Sequence, residues 1–132
     1  MPLIRNYIDK YYEDVKFNLQ ESGLFVPMWD TKNNLKTKIS RDAGSIIVAI
    51  EENCAIGNAF IVKDGWCAFI YHLAVRESFR HRGIGKLLIG EVENRLRAKG
   101  DIAVSLFTEF PKWFAGCGYK NAGNFRCMYK EL

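Results

Sequence analysis

One stretch in the middle of the chain restricts the fold more than any other, because it passes from a strand through a basic loop into a helix. Residues 73–88 read LAVRESFRHRGIGKLL. From Gly83 to Ala98 the apolar residues recur every three or four positions, which predicts an amphipathic helix that ends at Gly100. The apolar run from Trp66 to Val75 predicts a strand. A fold for this chain must therefore bring a strand end close to a helix N-terminus.

The start of this helix has the properties of an anion site. The first N–H groups of a helix have no partner within it, and the helix dipole adds a partial positive charge at the same end. Gly83 and Gly85 lack a Cβ, so an anion can approach the backbone closely. Further donors surround the mouth of the site: Arg80, His81, Arg82 and Lys86. The pattern predicts a site for a phosphate or a pyrophosphate.

Residue spacing separates this loop from two common nucleotide-binding loops. A P-loop requires Ser or Thr directly after its Gly-Lys pair, but Gly85-Lys86 is followed by Leu87. Arg80 also stands where a P-loop has its first glycine. A dinucleotide-binding fingerprint requires a third glycine, but Leu88 stands at that position. Nucleotide hydrolysis and dinucleotide binding are therefore disfavoured.

The rest of the chain alternates between helical and strand patterns. Before the motif we predict a short strand at 3–5, helices over 9–22 and 31–42 with Thr31 as the cap of the second, and strands over 45–50 and 55–62. Asp64-Gly65 is a hairpin signal, so these two strands and 66–75 form an antiparallel meander. After the motif we predict a strand at 102–106, a short helix over 111–115 and a last strand from 119 to 129. The order is β-α-α-β-β-β-α-β-α-β, and its second half favours a parallel strand pair.

Composition and charge exclude several classes of protein. The chain has 132 residues, of which 48% are apolar and 26% charged, so we expect one domain over 1–132 with its own core. The net charge of +4 comes without a dense basic stripe, which argues against a nucleic-acid binder. No apolar run approaches the ~20 residues of a membrane span, and residues 1–5 lack the apolar core of a signal peptide. The four cysteines form no Cys-x-x-Cys pair, which predicts reduced thiols, no metal site and a cytoplasmic location.

Two motifs together resemble those of a known superfamily. Arg80-x-x-Gly83-x-Gly85, following Leu73-x-Val75, closely resembles the acyl-CoA signature of the GNAT superfamily of N-acetyltransferases. The segment WFAGCGY at 113–119 resembles the superfamily's second motif, a short helix that ends in glycine and an aromatic residue. The order of elements is similar over most of the chain. The resemblance implies an α/β (α+β) fold: a mixed, mostly antiparallel central sheet flanked by helices, with a parallel strand pair splayed at the acyl-CoA site.

The resemblance also implies an N-acetyltransferase that uses acetyl-CoA and no metal. In this superfamily the fourth strand holds the pantetheine arm, and the following loop and helix start hold the pyrophosphate. The residues that match these roles are Leu73, Ala74 and Val75 on the strand, and Arg80, His81, Arg82, Gly83, Ile84, Gly85 and Lys86 beyond it. The acceptor would be the primary amine of a small molecule or of a protein, with neither nucleic acid nor membrane as a partner. Exposed edge strands are compatible with a homodimer, but the oligomeric state stays open.

Two positions that usually carry proton-transfer groups depart from the family pattern. Phe114 stands where the second motif usually has the tyrosine that protonates the leaving thiolate, and Phe69 cannot act as a base. Strand alternation places Phe69, Tyr71 and Leu73 on one face, which leaves Tyr71 as the candidate catalytic residue. By the same parity His72 lies on the opposite face, unless a bulge shifts the register. The departures keep a second hypothesis open, an acyl-CoA-binding or sensor module that transfers nothing.

The acceptor site is predicted from position alone. Trp29 and Asp30 lie in the loop between the two N-terminal helices, where relatives admit substrate, and are therefore candidates for the acceptor pocket. Near the C-terminus, alternating basic residues predict an exposed strand face: Lys120, Arg126 and Lys130. The sequence does not identify the acceptor amine.

Overall fold

A four-stranded antiparallel sheet forms the centre of the molecule. The computed structural model describes residues 1–132. The strands are β1 (Leu3–Asn6), β2 (Ile46–Glu51), β3 (Cys54–Lys63) and β4 (Ala68–Val75), and they lie side by side in that order. Each neighbouring pair is antiparallel. The predicted meander of β2, β3 and β4 is confirmed, and β1 pairs with β2 as an outer strand.

Helices flank this sheet at the positions that the sequence predicted. A single 3-10 turn at Asp9–Tyr11 precedes α1 (Tyr12–Glu21), and the other helices are α2 (Lys32–Arg41), α3 (Ile84–Ala98) and α4 (Pro111–Ala115). The Thr31 hydroxyl accepts a hydrogen bond from the backbone N–H of Asn34 at 3.1 Å, which is the N-cap predicted for α2. No helix combines the length and the apolar character needed to cross a bilayer.

The two faces of the sheet pack against different helices. Ile47 of β2 belongs to one core cluster with Leu88 of α3. Its neighbour Val48 belongs to a second cluster with Leu19 of α1 and Leu35 of α2. Because successive side chains of a strand point to opposite faces, the apolar β2 is buried on both sides. The sheet therefore forms the middle layer between α3 on one side and α1 with α2 on the other.

A bulge in β4 corrects the predicted assignment of its faces. The register against β3 shifts around His72, whose backbone takes a φ of +53°. Ile70 and Leu73 are separated by an odd number of positions, yet both pack in the cluster on the α3 side. Regular alternation would place them on opposite faces, so the bulge has inserted a residue between them. The prediction that Phe69, Tyr71 and Leu73 share one face of the sheet is therefore wrong.

The strand predicted over 102–106 is wrong in extent. In this segment Ser105 alone pairs, through a parallel bridge to β4. Its N–H donates to the Ala68 carbonyl at 3.0 Å, and its carbonyl accepts from the Ile70 N–H at 2.9 Å. The parallel direction is thus confirmed at one point. The pairing does not extend to Ile102, which is fully exposed and gains no burial that would hold it beside the sheet.

The last predicted strand, from 119 to 129, is also wrong. Residues 120–132 have no regular secondary structure, and Phe125 in their middle is 75% exposed. An alternating pattern forms a strand only beside a partner, and the 102–106 segment that should provide one pairs at a single residue. The basic residues of this segment are exposed but do not form a strand face: Lys120, Arg126 and Lys130.

Three tyrosines are expected to make the fold sensitive to high pH. Burial raises the pKa of Tyr7, Tyr12 and Tyr119 above the ordinary value of about 10. Above this pH the unfolded chain releases these protons before the folded chain does, so the stability of the fold decreases. We expect urea titrations to give a falling free energy of unfolding above about pH 10. Tyr7→Phe should reduce the fall, whereas the same change at the exposed Tyr129 should not; equal slopes for both would contradict the argument.

Candidate active site

The start of α3, where the sequence predicts an anion site, leaves its first backbone N–H groups without partners. Gly83 precedes the helix with a φ of +80°, a left-handed conformation that glycine adopts without strain. Its carbonyl accepts the first helical hydrogen bond from the N–H of Leu87 at 3.1 Å. The N–H groups of Ile84, Gly85 and Lys86 have no helical partner, and no side chain caps them. A Cβ on Gly83 would meet no atom within 4 Å, so there is open space beside these donors.

Gly85 packs closely against an aromatic ring of the second motif. A Cβ at this position would lie 3.1 Å from Cζ2 of Trp113 and 3.9 Å from Cγ2 of Val75. The Trp113 indole of α4 therefore packs directly on the first turn of α3, in the space that a side chain at position 85 would fill. This contact brings the two sequence motifs into one site.

Of the basic side chains of the loop, one is held by hydrogen bonds to the rest of the protein and the others are exposed. Arg80 donates from Nε to the Val75 carbonyl at 2.8 Å and from Nη2 to the Ser22 hydroxyl at 3.3 Å. It therefore connects the loop to the end of β4 and to the residue after α1. The other predicted donors are exposed around the start of α3: His81, Arg82 and Lys86.

One edge of β4 is open next to the start of α3. β4 pairs with β3 on one side, and on the other it is bridged at Ser105 alone. The chain then continues into α4, so the edge from Tyr71 to Val75 has no strand beside it. Leu73 and Val75 pack toward α3, whereas Ala74 is buried on the opposite face. An extended ligand can add to this edge as a strand would and reach the N-terminus of α3.

A match to a protein-family model decides the family. Residues 5–112 match the model described as Acetyltransferase (GNAT) family. The chain belongs to the acetyltransferase (GNAT) family. Among its relatives, Acetyltransferase YE1169 of Yersinia enterocolitica is 28% identical over 97 residues, which are 74% of this chain and 69% of the relative.

Solved acetyltransferases share the fold of this GNAT chain. Glucosamine-6-phosphate N-acetyltransferase from Arabidopsis thaliana gives a TM-score of 0.77 at 18% identity, with 99% of each chain covered. PaiA N-acetyltransferase from Thermoplasma acidophilum, in complex with coenzyme A, gives 0.72 at 17% identity, covering 89% of this chain and 88% of that one. The predicted family, the acetyltransferase class and the mostly antiparallel sheet flanked by helices are confirmed.

No free acid stands at the position where GNAT enzymes usually have a tyrosine. Phe114 is half-buried, with its ring edge-on to Trp113 at 4.8 Å and to Tyr119 at 5.8 Å between centroids. The Tyr119 hydroxyl donates to Oε2 of Glu93 at 2.8 Å. Burial and this carboxylate raise the pKa of Tyr119, so it holds its proton and does not readily release it. Tyr119 is therefore not a substitute for the missing acid.

His72 and Asp30 form a buried pair that strand parity did not predict. Nε2 of His72 lies 3.0 Å and 2.9 Å from the two carboxylate oxygens of Asp30, and the two side chains are only 11% and 6% exposed. Asp30 also accepts from the Val26 N–H at 2.8 Å, and its carbonyl accepts from the Tyr12 hydroxyl at 2.6 Å. Asp30, a predicted acceptor-binding residue, therefore points inward to β4. Its neighbour Trp29 is 55% exposed.

Tyr71 and a cleft beside Trp29 are two further features of the candidate site. Tyr71, the predicted catalytic residue, is 40% exposed and its hydroxyl has no hydrogen-bond partner, while its ring lies beside that of Phe69 at 6.2 Å. A shallow cleft of about 390 Å³ lies between Met28 with Trp29 and the C-terminal residues 129–132. No three His, Cys, Asp or Glu side chains are grouped as a metal ion would require.

A network of buried amides supports the bulge. Asn18 of α1 is fully buried and donates to the Ala55 carbonyl at 2.9 Å and to Oδ1 of Asn58 at 3.1 Å. It accepts from Nε of Arg76 at 3.0 Å. Asn58 in turn donates to the His72 carbonyl at 2.8 Å. The sequence did not single out Asn18 or Asn58, because a buried Asn cannot be told from a surface Asn until its neighbours are known.

Proposed function

We propose that this chain transfers the acetyl group of acetyl-CoA to a primary amine. One observation carries the proposal: the open edge of β4 leads to the unpartnered N–H groups at the start of α3. The edge suits the two amides of a pantetheine arm, which can pair with a strand. The helix start suits a pyrophosphate, since it combines free N–H groups with a glycine beside open space. The strand edge and the helix start follow one another in the same order as the pantetheine arm and the pyrophosphate of coenzyme A.

Each predicted cofactor residue has a role in this proposal. Leu73, Ala74 and Val75 offer backbone groups to the pantetheine. The N–H groups of Ile84, Gly85 and Lys86 bind the pyrophosphate beside Gly83. The remaining residues supply positive charge or hold the loop: Arg80, His81 and Arg82. The relative PaiA, whose solved structure contains coenzyme A, has the same fold and supports this assignment.

The proposed reaction is a direct attack of the amine on the thioester. The nitrogen of the neutral amine bonds to the carbonyl carbon, and the bond from that carbon to sulfur breaks. The amine loses one proton, and the departing thiolate gains one. A backbone N–H of β4 polarises the thioester carbonyl. Holding the two substrates together accounts for much of the rate, even without a dedicated acid for the thiolate.

We place the acceptor beside the loop between α1 and α2. Trp29 is exposed there and lines the cleft that residues 129–132 close on the other side. An acceptor screen should include both small amines and a protein amine, because the lining does not distinguish them. Glucosamine 6-phosphate and L-glutamate, acceptors implied by the names of two structural relatives, belong in it, together with a linear alkylamine and a peptide with a free N-terminus.

Thermal stability with ligands tests the cofactor part of this proposal. At about 100 times its dissociation constant a ligand adds about 2.7 kcal/mol of stability. We expect acetyl-CoA and coenzyme A, but not ATP, to raise Tm by several degrees. Thiol release with the four amines then tests transfer. The absence of any shift with coenzyme A would contradict the proposal.

Restoring the tyrosine of the second motif tests whether an acid limits the rate. We expect Phe114→Tyr to raise kcat about 10-fold or more, because a phenol would protonate the leaving thiolate. Phe110→Tyr is the matched control, since Phe110 is 71% exposed just before α4. The measurement is thiol release as a function of pH. Equal kcat values for the wild type and the Phe114 variant would argue that water or another group already protonates the thiolate.

A second candidate function rests on the same position. Phe114 offers no proton, which favours a module that binds acyl-CoA and transfers nothing. This alternative predicts a thermal shift with acetyl-CoA, no thiol release with any amine of the screen and no gain of activity in Phe114→Tyr.

A further inference from the structure

We propose that His72 and Asp30 form a proton-accepting dyad. His72 is the catalytic residue that takes the proton of the acceptor amine, and Asp30 is the positioning residue that fixes the imidazole. The inference rests on the proposed acetyl transfer and names the group that the transfer still lacks.

The pair with Asp30 determines which ring nitrogen of His72 carries the hydrogen and which has the lone pair. A carboxylate can only accept hydrogen bonds, and both oxygens of Asp30 lie within 3.0 Å of Nε2, so Nε2 carries the hydrogen. In the neutral ring the lone pair is then on Nδ1. Nδ1 has no hydrogen-bond partner and is not among the polar atoms sealed from solvent. Nδ1 therefore keeps some contact with solvent and is free to accept a hydrogen.

The imidazole is held from several sides. A φ of +53° is unfavourable for histidine, and such a conformation persists only where the surroundings enforce it. The Asn58 amide fixes the His72 carbonyl at 2.8 Å, and the Phe60 ring meets the imidazole edge-on at 5.0 Å between centroids.

The dyad is adjacent in sequence to residues of both proposed substrate sites. His72 comes directly before Leu73, on the edge proposed for the pantetheine arm, and its partner Asp30 directly follows the exposed Trp29. The groups that contact the dyad from the other elements are uncharged: Tyr12 of α1 on the Asp30 carbonyl, and Asn58 and Phe60 of β3 on His72.

The step balances without any further reactant. As the amine nitrogen bonds to the thioester carbon, Nδ1 of His72 accepts one proton from that nitrogen. The imidazolium that forms is paired with the Asp30 carboxylate. It then returns the proton to solvent, and the thiolate takes its own proton from water.

Kinetics of three variants test the dyad, using the amine of the screen that gives the fastest thiol release. Asparagine tolerates positive φ, so His72→Asn keeps the backbone of the bulge. We expect its kcat to fall about 100-fold with the KM for acetyl-CoA unchanged, and that of Asp30→Asn to fall about 10-fold. His72→Gly should regain at least about 10-fold of its lost rate with added imidazole, which a structural role would not produce. Asp64→Asn, the same charge removal in the exposed β3–β4 turn, is the control.

The outcomes separate this inference from the proposed function. Variants that keep the thermal shift with coenzyme A but have kcat within twofold of the wild type would overturn the dyad and leave acetyl transfer standing. So would a loss confined to Tyr71→Phe. A wild type without the shift would instead contradict the proposed function.

Nitrogen NMR of the imidazole tests the dyad even if none of the four amines is a substrate. The chain has two histidines, so the signals lost in His72→Asn belong to His72 and the rest to His81. In the neutral form of the His72 ring we expect the hydrogen on Nε2, and in Asp30→Asn a mixture of the two tautomers. A neutral wild-type ring with its hydrogen on Nδ1 would overturn the proposal.

Discussion

Coenzyme A is expected not to bind once Gly83 is replaced by glutamate. The added side chain would start in the open space beside the free N–H groups of α3, where the pyrophosphate is proposed to lie. A carboxylate about 4 Å from one phosphate charge near a protein surface costs about 4 kcal/mol, or nearly a 1000-fold loss of affinity. The left-handed backbone at position 83 adds strain for any residue with a Cβ. Calorimetric titration with coenzyme A measures the effect.

Two companion variants separate charge from backbone strain at this position. Gly83→Asn accepts the positive φ and stays neutral, so we expect a loss of affinity much smaller than that of Gly83→Glu. Gly90→Glu adds the same carboxylate farther along α3, where a Cβ would meet no atom within 4 Å, and should bind coenzyme A like the wild type. Retained binding in Gly83→Glu would remove the pyrophosphate from this helix start.

Asn18→Ala is expected to destabilise the fold more than any other single amide removal. It leaves the Ala55 carbonyl, Oδ1 of Asn58 and Nε of Arg76 without the partner that Asn18 provides inside the protein. A buried polar group left unpaired costs about 1–3 kcal/mol, so the loss is about 3 kcal/mol or more. For a domain of this size that lowers Tm by roughly 10 °C.

Thermal and urea unfolding of Asn18→Ala measure this loss. Asn124→Ala is the matched control, because Asn124 is exposed in the irregular C-terminal segment and should change Tm little. A Tm of Asn18→Ala within two degrees of the wild type would mean that water replaces the lost amide. The network would then contribute little to the stability of the bulge.

The sequence predicted those parts of the fold that local patterns determine. The helix after Gly83 combines apolar periodicity with a glycine at its start, and both act within a few residues. The Asp64-Gly65 turn predicts the β3–β4 hairpin for the same reason. The bounds of α3 agree with the predicted helix because they depend on such local features, whereas binding at its start stays a prediction.

Long-range packing determines what the sequence left unpredicted. The bulge at His72 is stabilised by the hydrogen bond from Asn58 and by the pair with Asp30. Both partners are distant in sequence, so the residue pattern of β4 alone does not predict the bulge. Parity therefore placed Tyr71 on the same face as Leu73, which is wrong, and the His72–Asp30 pair was not predicted. The strands expected at 102–106 and 119–129 depend on each other as partners, so an apolar alternation in each was insufficient evidence.

The contact between Gly85 and Trp113 has a consequence for how such sequences diverge. With a Cβ only 3.1 Å from the indole, even alanine at position 85 requires the ring to move, whereas a smaller residue at position 113 would make room for it. The two positions lie in different motifs, yet a larger residue at position 85 is disfavoured as long as position 113 keeps its tryptophan. Among homologues we expect side-chain volume at 85 and at 113 to vary inversely, so that the pair evolves as one unit.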